Sequence, residues 1–331
     1  MSRYDIYAIG AALVDTEVEV SEAFLDQYQI EKGVMTLVDQ SRQAELLEAL
    51  TVQNKTLMRK SGGSACNTIV AAANFGANTL FSGKVAYDTD GDCFAKDLTD
   101  AGVSFYGSKA DDTVTGKCLV MVTKDAERTM NTFLGASEQF TDRDIDKSAL
   151  LNSEWFYIEG YLLTDNDRTA IVKEAVNLAK KNGVKVALSL SDPFVAQFFV
   201  DNLNAIIADG IDLIFCNKDE ALAFTNTENI SQACELLKNV TKTFAITDGA
   251  NGAIVYDGNN LTSVSAVPAK AVDTNGAGDM FAGAFLYGIT SGRDYIWSAR
   301  LGNESAARVV AKFGPRLDSV QFDAIMQKFG I

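Results

Sequence analysis

The segment with the clearest chemical character is residues 273–279, D-T-N-G-A-G-D, which follows a short extended stretch and opens an apolar helix. Gly276, Ala277 and Gly278 have little or no side chain, so their N–H groups can approach an anion closely. The first turn of a helix leaves such donors unpaired and adds the positive end of the helix dipole. The segment is suited to hold a phosphoryl group, with Asp279 placed to accept the proton of an attacking hydroxyl.

The same segment also allows a purely structural interpretation. Asp273 and Asp279 can cap and charge the start of a helix, while the glycines form a turn. For a lone glycine-rich turn this simpler interpretation is favoured, so the case for chemistry depends on the rest of the chain.

The chain has no histidine among its 331 residues. Ser-His-Asp hydrolysis, Cys-His proteolysis and His-ligated zinc are therefore excluded for this chain alone. A general base must be Asp, Glu, Lys, Tyr or Cys. The five cysteines are scattered and form no C-x-x-C pair, so neither a zinc site nor a disulfide framework is expected, and a reducing cytoplasm is the expected location.

The charge balance limits the partners. With 44 acidic and 29 basic side chains, the formal charge is −15, which disfavours nucleic acid and anionic membranes as partners. A local ring of backbone N–H groups can still bind an anionic nucleotide. No stretch approaches the roughly 20 apolar residues of a membrane span, and the N-terminus shows no signal peptide.

Short apolar runs alternate with amphipathic segments along most of the chain, which predicts a mostly parallel sheet covered by helices on both faces. The predicted strands are Ile6–Ile9, Thr79–Val85, Trp155–Ile158, Val184–Leu190, Ile211–Cys216 and Phe244–Thr247. The predicted helices are Gly91–Ala101, Asn166–Lys181, Lys218–Phe224, Gly276–Tyr287, Tyr295–Lys312 and Ser319–Phe329.

Two regions interrupt this alternation, at about 15–39 and 112–135. Their segments 15–20, 34–38, 116–123 and 128–134 predict a small sheet that projects from one α/β domain spanning residues 1–331. Such a sheet can serve as a lid over a site, with Met130 closing over a substrate. An edge extension and a dimerisation surface are equally open, so the chain is expected to be a monomer or a homodimer through the lid.

Together, two motifs resemble the ribokinase-like, or PfkB, carbohydrate kinase family. D-T-N-G-A-G-D at 273–279 is similar to the family's C-terminal signature, and G-G-S-A-C-N at 62–67 to its N-terminal glycine pair. The resemblance extends from Gly10 to about Gly314. It implies a ribokinase-like three-layer sandwich with a small β-sheet lid. The chain has no G-x-x-x-x-G-K-[ST] string and no protein-kinase motif set.

For the reaction centre, the resemblance implies that Asp279 is the catalytic base. It also implies that the backbone of four residues forms the anion hole for the transferred phosphoryl group, namely Asn275, Gly276, Ala277 and Gly278.

For the acceptor, the resemblance implies that Asp15 and Asn67 hold sugar hydroxyls, which suits groups that make directional hydrogen bonds. It also implies that Gly62 and Gly63 form the hinge between core and lid. Taken alone, Asp15 is equally well a turn residue at a strand end, and the glycine pair an ordinary turn before a helix.

The string N-K-D-E at 217–220 resembles the family's N-x-x-E motif. This implies that Asn217 lies near the phosphates and that Glu220 binds Mg²⁺, mostly through water. The residues by themselves also describe an Asn N-cap with an acidic partner three positions later, and both roles can hold at once.

The string T-D-G-A-N-G at 247–252 resembles the family's nucleotide loop. Thr247, Gly249 and Gly252 are then expected to bind ATP, with Val267 and Asn303 lining the adenine pocket. Core packing explains the last two equally well.

We therefore expect an ATP-dependent phosphotransferase that acts on a hydroxymethyl group of a small sugar or nucleoside. The segments 12–15 and 127–136 are more similar to the adenosine-kinase-like branch, so adenosine is favoured over ribose-like and keto-sugar acceptors. Some relatives use a monovalent cation, for which no ligands are assigned. The alternative is a non-catalytic nucleotide- or sugar-binding protein, against which the intact Asp279 argues. A Rossmann dehydrogenase lacks support because no glycine triad follows the first strand.

Overall fold

The computed structural model describes residues 3–52 and 58–331; residues 1–2 and 53–57 of the predicted domain 1–331 lie outside the described residues. Strands form where short apolar runs are bounded by turn residues. The strands are, in chain order, β1 (Tyr4–Ile9), β2 (Leu13–Glu19), β3 (Met35–Leu37), β4 (Met58–Gly62), β5 (Thr79–Ser82), β6 (Val85–Ala86), β7 (Ser104–Tyr106), β8 (Lys109–Ala110), β9 (Thr115–Val122), β10 (Arg128–Gly135), β11 (Ser153–Glu159), β12 (Lys185–Ser189), β13 (Leu213–Asn217), β14 (Thr243–Thr247), β15 (Ala253–Tyr256) and β16 (Leu261–Val264).

The longer helices carry an apolar stripe and commonly begin at an Asp, Asn or Ser cap, as at Asp88, Asp165 and Asp294. The helices are α1 (Glu22–Gln27), α2 (Gln40–Val52), α3 (Ser64–Asn74), α4 (Thr89–Asp100), α5 (Lys147–Leu151), α6 (Asn166–Lys181), α7 (Pro193–Phe198), α8 (Val200–Ile207), α9 (Lys218–Thr225), α10 (Ile230–Leu237), α11 (Ala277–Thr290), α12 (Tyr295–Val310) and α13 (Ser319–Phe329).

The main sheet has nine strands in the order β16-β15-β14-β13-β12-β11-β1-β5-β7. All neighbours from β14 to β7 are parallel, and β15 and β16 add an antiparallel hairpin at one edge. The interior strand β1 pairs on both sides, with Ile6 opposite Trp155 on β11 and opposite Thr79 on β5. The carboxyl ends of these strands form one edge, where ligands of open α/β sheets bind.

Helices cover both faces of the main sheet. Because side chains alternate along a strand, Tyr7 and Ile9 pack on one face with α6 and α8, while Ile6 and Ala8 pack on the other with α3 and α11. The predicted three-layer α/β sandwich with a mostly parallel sheet is confirmed. The predicted strand Thr79–Val85 is shorter than expected, since β5 ends at Ser82 and Val85 begins the separate strand β6.

A second sheet has the order β3-β10-β9-β2-β4. Four of its strands lie at the segments predicted for a small sheet, but β4 lies outside the predicted ranges of 15–39 and 112–135. The strand β4 has the polar sequence M-R-K-S-G, without the alternation that marks a strand. The helices α1 and α2 pack against one face of this sheet, where Val18, Phe24, Leu46 and Met121 form a buried cluster.

Within residues 3–52 and 58–331, none of the helices combines the length and the hydrophobicity that crossing a bilayer requires.

Candidate active site

A cavity of about 440 Å³ lies between the carboxyl edge of the main sheet and the uncovered face of the second sheet. The second sheet contributes Asp15, Arg128 and Met130 to its walls, and the start of α11 contributes residues 274–279. The cavity therefore joins two parts of the chain that are far apart in sequence.

Asp279 lies in the first turn of α11 and faces the start of α3. Its Oδ1 accepts a hydrogen bond from Ser64 Oγ at 2.7 Å, and its Oδ2 accepts one from Asn67 Nδ2 at 3.2 Å. The two helices approach closely because α11 has glycine at position 283, where a Cβ would lie 2.3 Å from the carbonyl oxygen of Thr68. Burial raises the pKa of Asp279, while the two hydrogen bonds and the charges of Arg128 and Arg316 oppose that rise.

The loop before α11 is held in shape by Asp273. One oxygen of this buried carboxylate accepts from the N–H of Asn275 and the other from the N–H of Gly314, each at 2.9 Å. Gly276 has φ +74°, a left-handed conformation that favours glycine, and packs against Pro315. Gly278 is exposed to the cavity, with open space where a side chain would stand. All four residues 275–278 line the cavity, and among the described residues the N–H groups of Gly276 and Gly278 are the ones without a backbone partner, since that of Ala277 donates to the carbonyl oxygen of Thr274 at 3.3 Å.

Asp15 lies on β2 across the cavity from Asp279, and it is 7% exposed. Burial raises the pKa of Asp15 to about 8, and the nearby Glu17 adds to the rise. No described residue donates a hydrogen bond to its carboxylate. Gly62 lies directly beneath it, since a Cβ there would be 1.9 Å from Asp15 Cγ. Gly63 follows with φ +94° and precedes α3.

At the other end of the cavity, Asn217 caps α9 and Glu220 closes the cap. Asn217 Oδ1 accepts from the N–H of Glu220 at 2.8 Å, and the Glu220 carboxylate accepts from the N–H and the Nδ2 of Asn217. The capping interpretation of N-x-x-E is thereby confirmed. Both residues also line the cavity, and burial raises the pKa of Glu220 to about 7.

Most of the predicted site residues converge on this one cavity. Its walls include the following predicted residues: Asp15, Gly63, Asn67, Met130, Asn217, Glu220, Thr247, Asn275, Gly276, Ala277, Gly278 and Asp279.

Five predicted residues do not line the cavity. Gly62 lies under Asp15, and Gly249 and Gly252 belong to a tight turn after β14. Val267 is half-buried in the segment after β16. Asn303, on α12, uses Nδ2 to donate to the carbonyl oxygens of Val264 and Ser265 at 3.1 and 3.0 Å. It therefore holds the end of β16 and the start of the segment that contains Val267.

Several charged residues of the site were not singled out from the sequence. Arg128 is half-buried in the cavity wall, and none of the described carboxylates lies within ion-pair distance of it. Glu17 on β2 is 3% exposed and accepts a hydrogen bond from Asn275 Nδ2 at 2.7 Å. Glu159 joins Ala11 N and Ala65 N, at 2.7 and 2.8 Å. Glu159 was an isolated charge in the apolar run W-F-Y-I-E-G-Y-L-L, whereas Arg128 and Glu17 lie among other charged residues and carried no such signal.

The carboxylates at the cavity wall are compatible with an Mg²⁺ ion that takes most of its other ligands from water and from a bound substrate. Within the described ranges, no three His, Cys, Asp or Glu side chains form a metal-binding group. Glu220 and the neighbouring Asp219 nevertheless present carboxylate oxygens at the cavity wall. Mg²⁺ usually keeps several waters and uses one or two carboxylates together with substrate phosphates, so these residues suit it.

Fold and cavity together are compatible with a phosphotransferase. Residues 34–321 match the family model described as pfkB family carbohydrate kinase. The chain belongs to this family, and it is a kinase of small sugars or nucleosides.

Three relatives illustrate the similarity. The chain is 31% identical to adenosine kinase of Saccharomyces cerevisiae, over 95% of this chain and 97% of that protein. The crystal structure of a probable sugar kinase from Rhizobium etli has a TM-score of 0.93 and 32% identity, with both chains covered completely. That of adenosine kinase from Sinorhizobium meliloti has a TM-score of 0.92 and 35% identity, covering 99% of this chain and all of the other.

Proposed function

We propose that this protein transfers the γ-phosphoryl group of ATP to a hydroxymethyl group of a nucleoside or ribose-like acceptor, with adenosine favoured. The observation that carries this proposal is the placement of Asp279 at the first turn of α11, between the backbone of 275–278 and the carboxylate of Asp15. A base, an anion site and a ligand for sugar hydroxyls thus line one cavity.

In the proposed reaction, the acceptor hydroxyl gives its proton to the Asp279 carboxylate as its oxygen forms a bond to the γ-phosphorus. The bond between that phosphorus and the β,γ-bridging oxygen breaks, and ADP leaves. Within the backbone of 275–278, the N–H groups of Gly276 and Gly278 stabilise the charge that develops on the transferred group. Hydrogen bonds from Ser64 and Asn67 hold Asp279 in place before the acceptor arrives.

The acceptor site that we propose combines Asp15 and Asn67 with the close backbone of Gly62 and Gly63. Asp15 has no donor among the described residues, so a pair of sugar hydroxyls can take up its oxygens. Met130 forms part of the wall above this position.

The favoured acceptor is a nucleoside because the cavity wall also carries apolar and aromatic side chains. They include Leu37, Leu134, Tyr161 and Phe194, and Phe194 is 45% exposed although it is a large apolar side chain. Aromatic and branched apolar side chains stack on the faces of a base, whereas a plain sugar offers no such face. The adenosine kinases among the relatives support the same choice.

We propose that ATP extends from the anion site toward Asn217 and Thr247. Gly249 and Gly252 shape the turn beside the phosphates, and Val267 lies near the adenine with Asn303 supporting that segment. When bound, Mg²⁺ would neutralise phosphate charge, and Glu220 would hold its water shell. A monovalent cation is a further expectation without assigned ligands, which the dependence of turnover on KCl would test.

We further propose that the second sheet acts as the lid of this single domain. Glu17 of β2 bonds to Asn275, and Thr274 Oγ1 donates to the carbonyl oxygen of Ala126 at 3.3 Å, so the sheet contacts the anion site directly. The five cysteines are free thiols, which supports a reducing compartment such as the cytoplasm.

The proposal is tested by a coupled assay of ADP release with nucleosides, pentoses and hexoses, run on the native protein and on Asp279→Asn. Adenosine should give the highest kcat/KM. Asp279→Asn should bind ATP and acceptor normally by calorimetry yet lose roughly 10³-fold or more in kcat. Near-normal turnover of Asp279→Asn contradicts the base assignment, and no stimulation by any acceptor favours a binding protein.

A further inference from the structure

Arg316 is a buried arginine behind the cavity, in the segment between α12 and α13, and it is 7% exposed. It does not line the cavity wall. Its Nε donates to Asn67 Oδ1 at 3.0 Å, and its Nη1 donates to Asp97 Oδ2 of α4 at 2.9 Å. Its Nη2 donates to Ser61 Oγ at 2.9 Å and also to the Ser61 carbonyl oxygen. One guanidinium thus joins α3, α4 and the end of β4.

The contact with Asn67 determines how that amide is oriented. A guanidinium can only donate hydrogen bonds, so Asn67 must turn its oxygen toward Arg316. The amide nitrogen of Asn67 then points the other way, where it donates to Asp279 Oδ2 at 3.2 Å. Without Arg316, the amide is free to rotate and to present its oxygen to the carboxylate, which would repel it.

We infer that Arg316 is a positioning residue for phosphoryl transfer, which fixes the amide of Asn67 so that it donates to Asp279 and presents a defined face to the acceptor. This inference rests on the proposed base role of Asp279. Arg316 acts through other residues, chiefly Asn67, because the guanidinium does not line the cavity.

The same guanidinium supports the proposed hinge. Ser61 immediately precedes Gly62 and Gly63, and both its carbonyl oxygen and its hydroxyl are bound by Arg316. Asp97 accepts from the N–H of Ser61 at 3.1 Å, so the end of β4 is held on the core. Arg316 therefore orients Asn67, the proposed ligand of the acceptor. It also anchors β4, the strand that leads into Gly62 and Gly63.

The pH dependence of the rate distinguishes the proposed role from a purely structural one, because it depends on the charge of Arg316 and not on its packing. The charged groups that face Asp279 are Arg128 and Arg316, together with the carboxyl groups of Asp15, Glu159 and Glu220. Removing the positive charge of Arg316 should raise the pKa of Asp279 further. Since Asp279 must be ionised to accept a proton, the acid limb of the rate profile should move to higher pH.

The experiment compares Arg316→Met, Arg316→Lys and a control, Arg308→Met. Arg308 also pairs with a carboxylate, with Nε 2.9 Å from Glu304 Oε1, but it lies on α12 away from the cavity. Arg316→Met should lower kcat/KM for the acceptor by ~10–100-fold, as expected when a group that orients a ligand is removed. KM for ATP should stay within about twofold, and the acid limb should rise by about half a pH unit or more.

Arg316→Lys should recover part of the activity and restore the acid limb, because an ammonium keeps the charge and remains a pure donor. The thermal midpoint of each variant identifies loss of folding. If Arg316→Met does not fold, Arg316→Lys still decides, since an unchanged acceptor KM and kcat in that folded variant would refute the inference.

Two further outcomes are informative. If Arg316→Met and Arg308→Met lost activity to the same extent and the acid limb did not move, Arg316 would have only a structural role. The same assays on Asp279→Asn separate the two hypotheses. A normal rate in that variant overturns the base assignment itself, whereas an inactive Asp279→Asn beside a normal Arg316→Met overturns only the present inference.

Discussion

Arg128 is a cation in the wall of the cavity, without a carboxylate within ion-pair distance among the described residues. It lies on β10, and its Nη1 contacts Met130 Sδ at 3.2 Å. The charges that act on it include Asp279, Asp192 and Glu220, which also line the cavity. A half-buried guanidinium with no direct ion pair is well placed to bind an anion, so we expect an anionic ligand there.

We predict that Arg128→Ala lowers kcat by about 10²–10³-fold, because a positive charge beside the transferring group stabilises the transition state more than the ground state. Arg128→Lys is the matched variant, since it keeps the charge but not the planar fork, and it should recover a fraction of the rate. Steady-state kinetics measure both. If Arg128→Ala changed only KM for the acceptor, its role would be in binding rather than in transfer.

At the scale of elements, the important contact is between β4 and β2. Gly62 pairs with Leu13 in an antiparallel register, and the Asp15 carboxylate occupies the space above it. The two strands thus place Asp15, the proposed ligand of the acceptor, next to the proposed hinge. Any side chain at position 62 must displace Asp15.

We predict that Gly62→Ala raises KM for the acceptor by roughly 10-fold or more with little effect on KM for ATP, since overpacking of this kind typically costs about 1–3 kcal/mol. The effect on stability should depend on Asp15. Gly62→Ala should lower the thermal midpoint of the native protein but not that of an Asp15→Ala variant, where the space is empty. An equal shift in both backgrounds would mean that Asp15 is not the group displaced.

At the scale of the molecule, the second sheet has two differently occupied faces. The helices α1 and α2 cover one face, and the other faces the cavity. A dimer formed through the face under α1 and α2 would need that apolar face to be exposed, and these helices already bury it. Of the two expectations from the sequence, we therefore favour the monomer.

A monomer should elute in size-exclusion chromatography with light scattering at a mass near 35.6 kDa, over a wide range of protein concentration and with or without ATP and acceptor. A mass near twice that value, lost on charge substitution along the edge strand β3, would instead establish a dimer through the second sheet.

The sequence by itself determined the chemistry and the class of fold. The absence of histidine limited the candidate bases to Asp, Glu, Lys, Tyr and Cys, and D-T-N-G-A-G-D predicted both a carboxylate base and an anion-binding helix start. Alternation of apolar runs with amphipathic segments predicted the layered sandwich. These signals are local, because periodicity, capping and glycine content are properties of short windows of sequence.

Only the tertiary structure decided which side chains meet. Asn67 and Asp279 are 212 positions apart, Arg316 and Asn67 are 249 apart, and Glu17 and Asn275 are 258 apart. The strand β4 likewise shows no alternation and is identified by its pairing with β2. Contacts of this kind arise from packing of α3 on α11 and of one sheet on the other, which no local pattern encodes. The orientation of the Asn67 amide, and with it the proposed role of Arg316, follows from that packing.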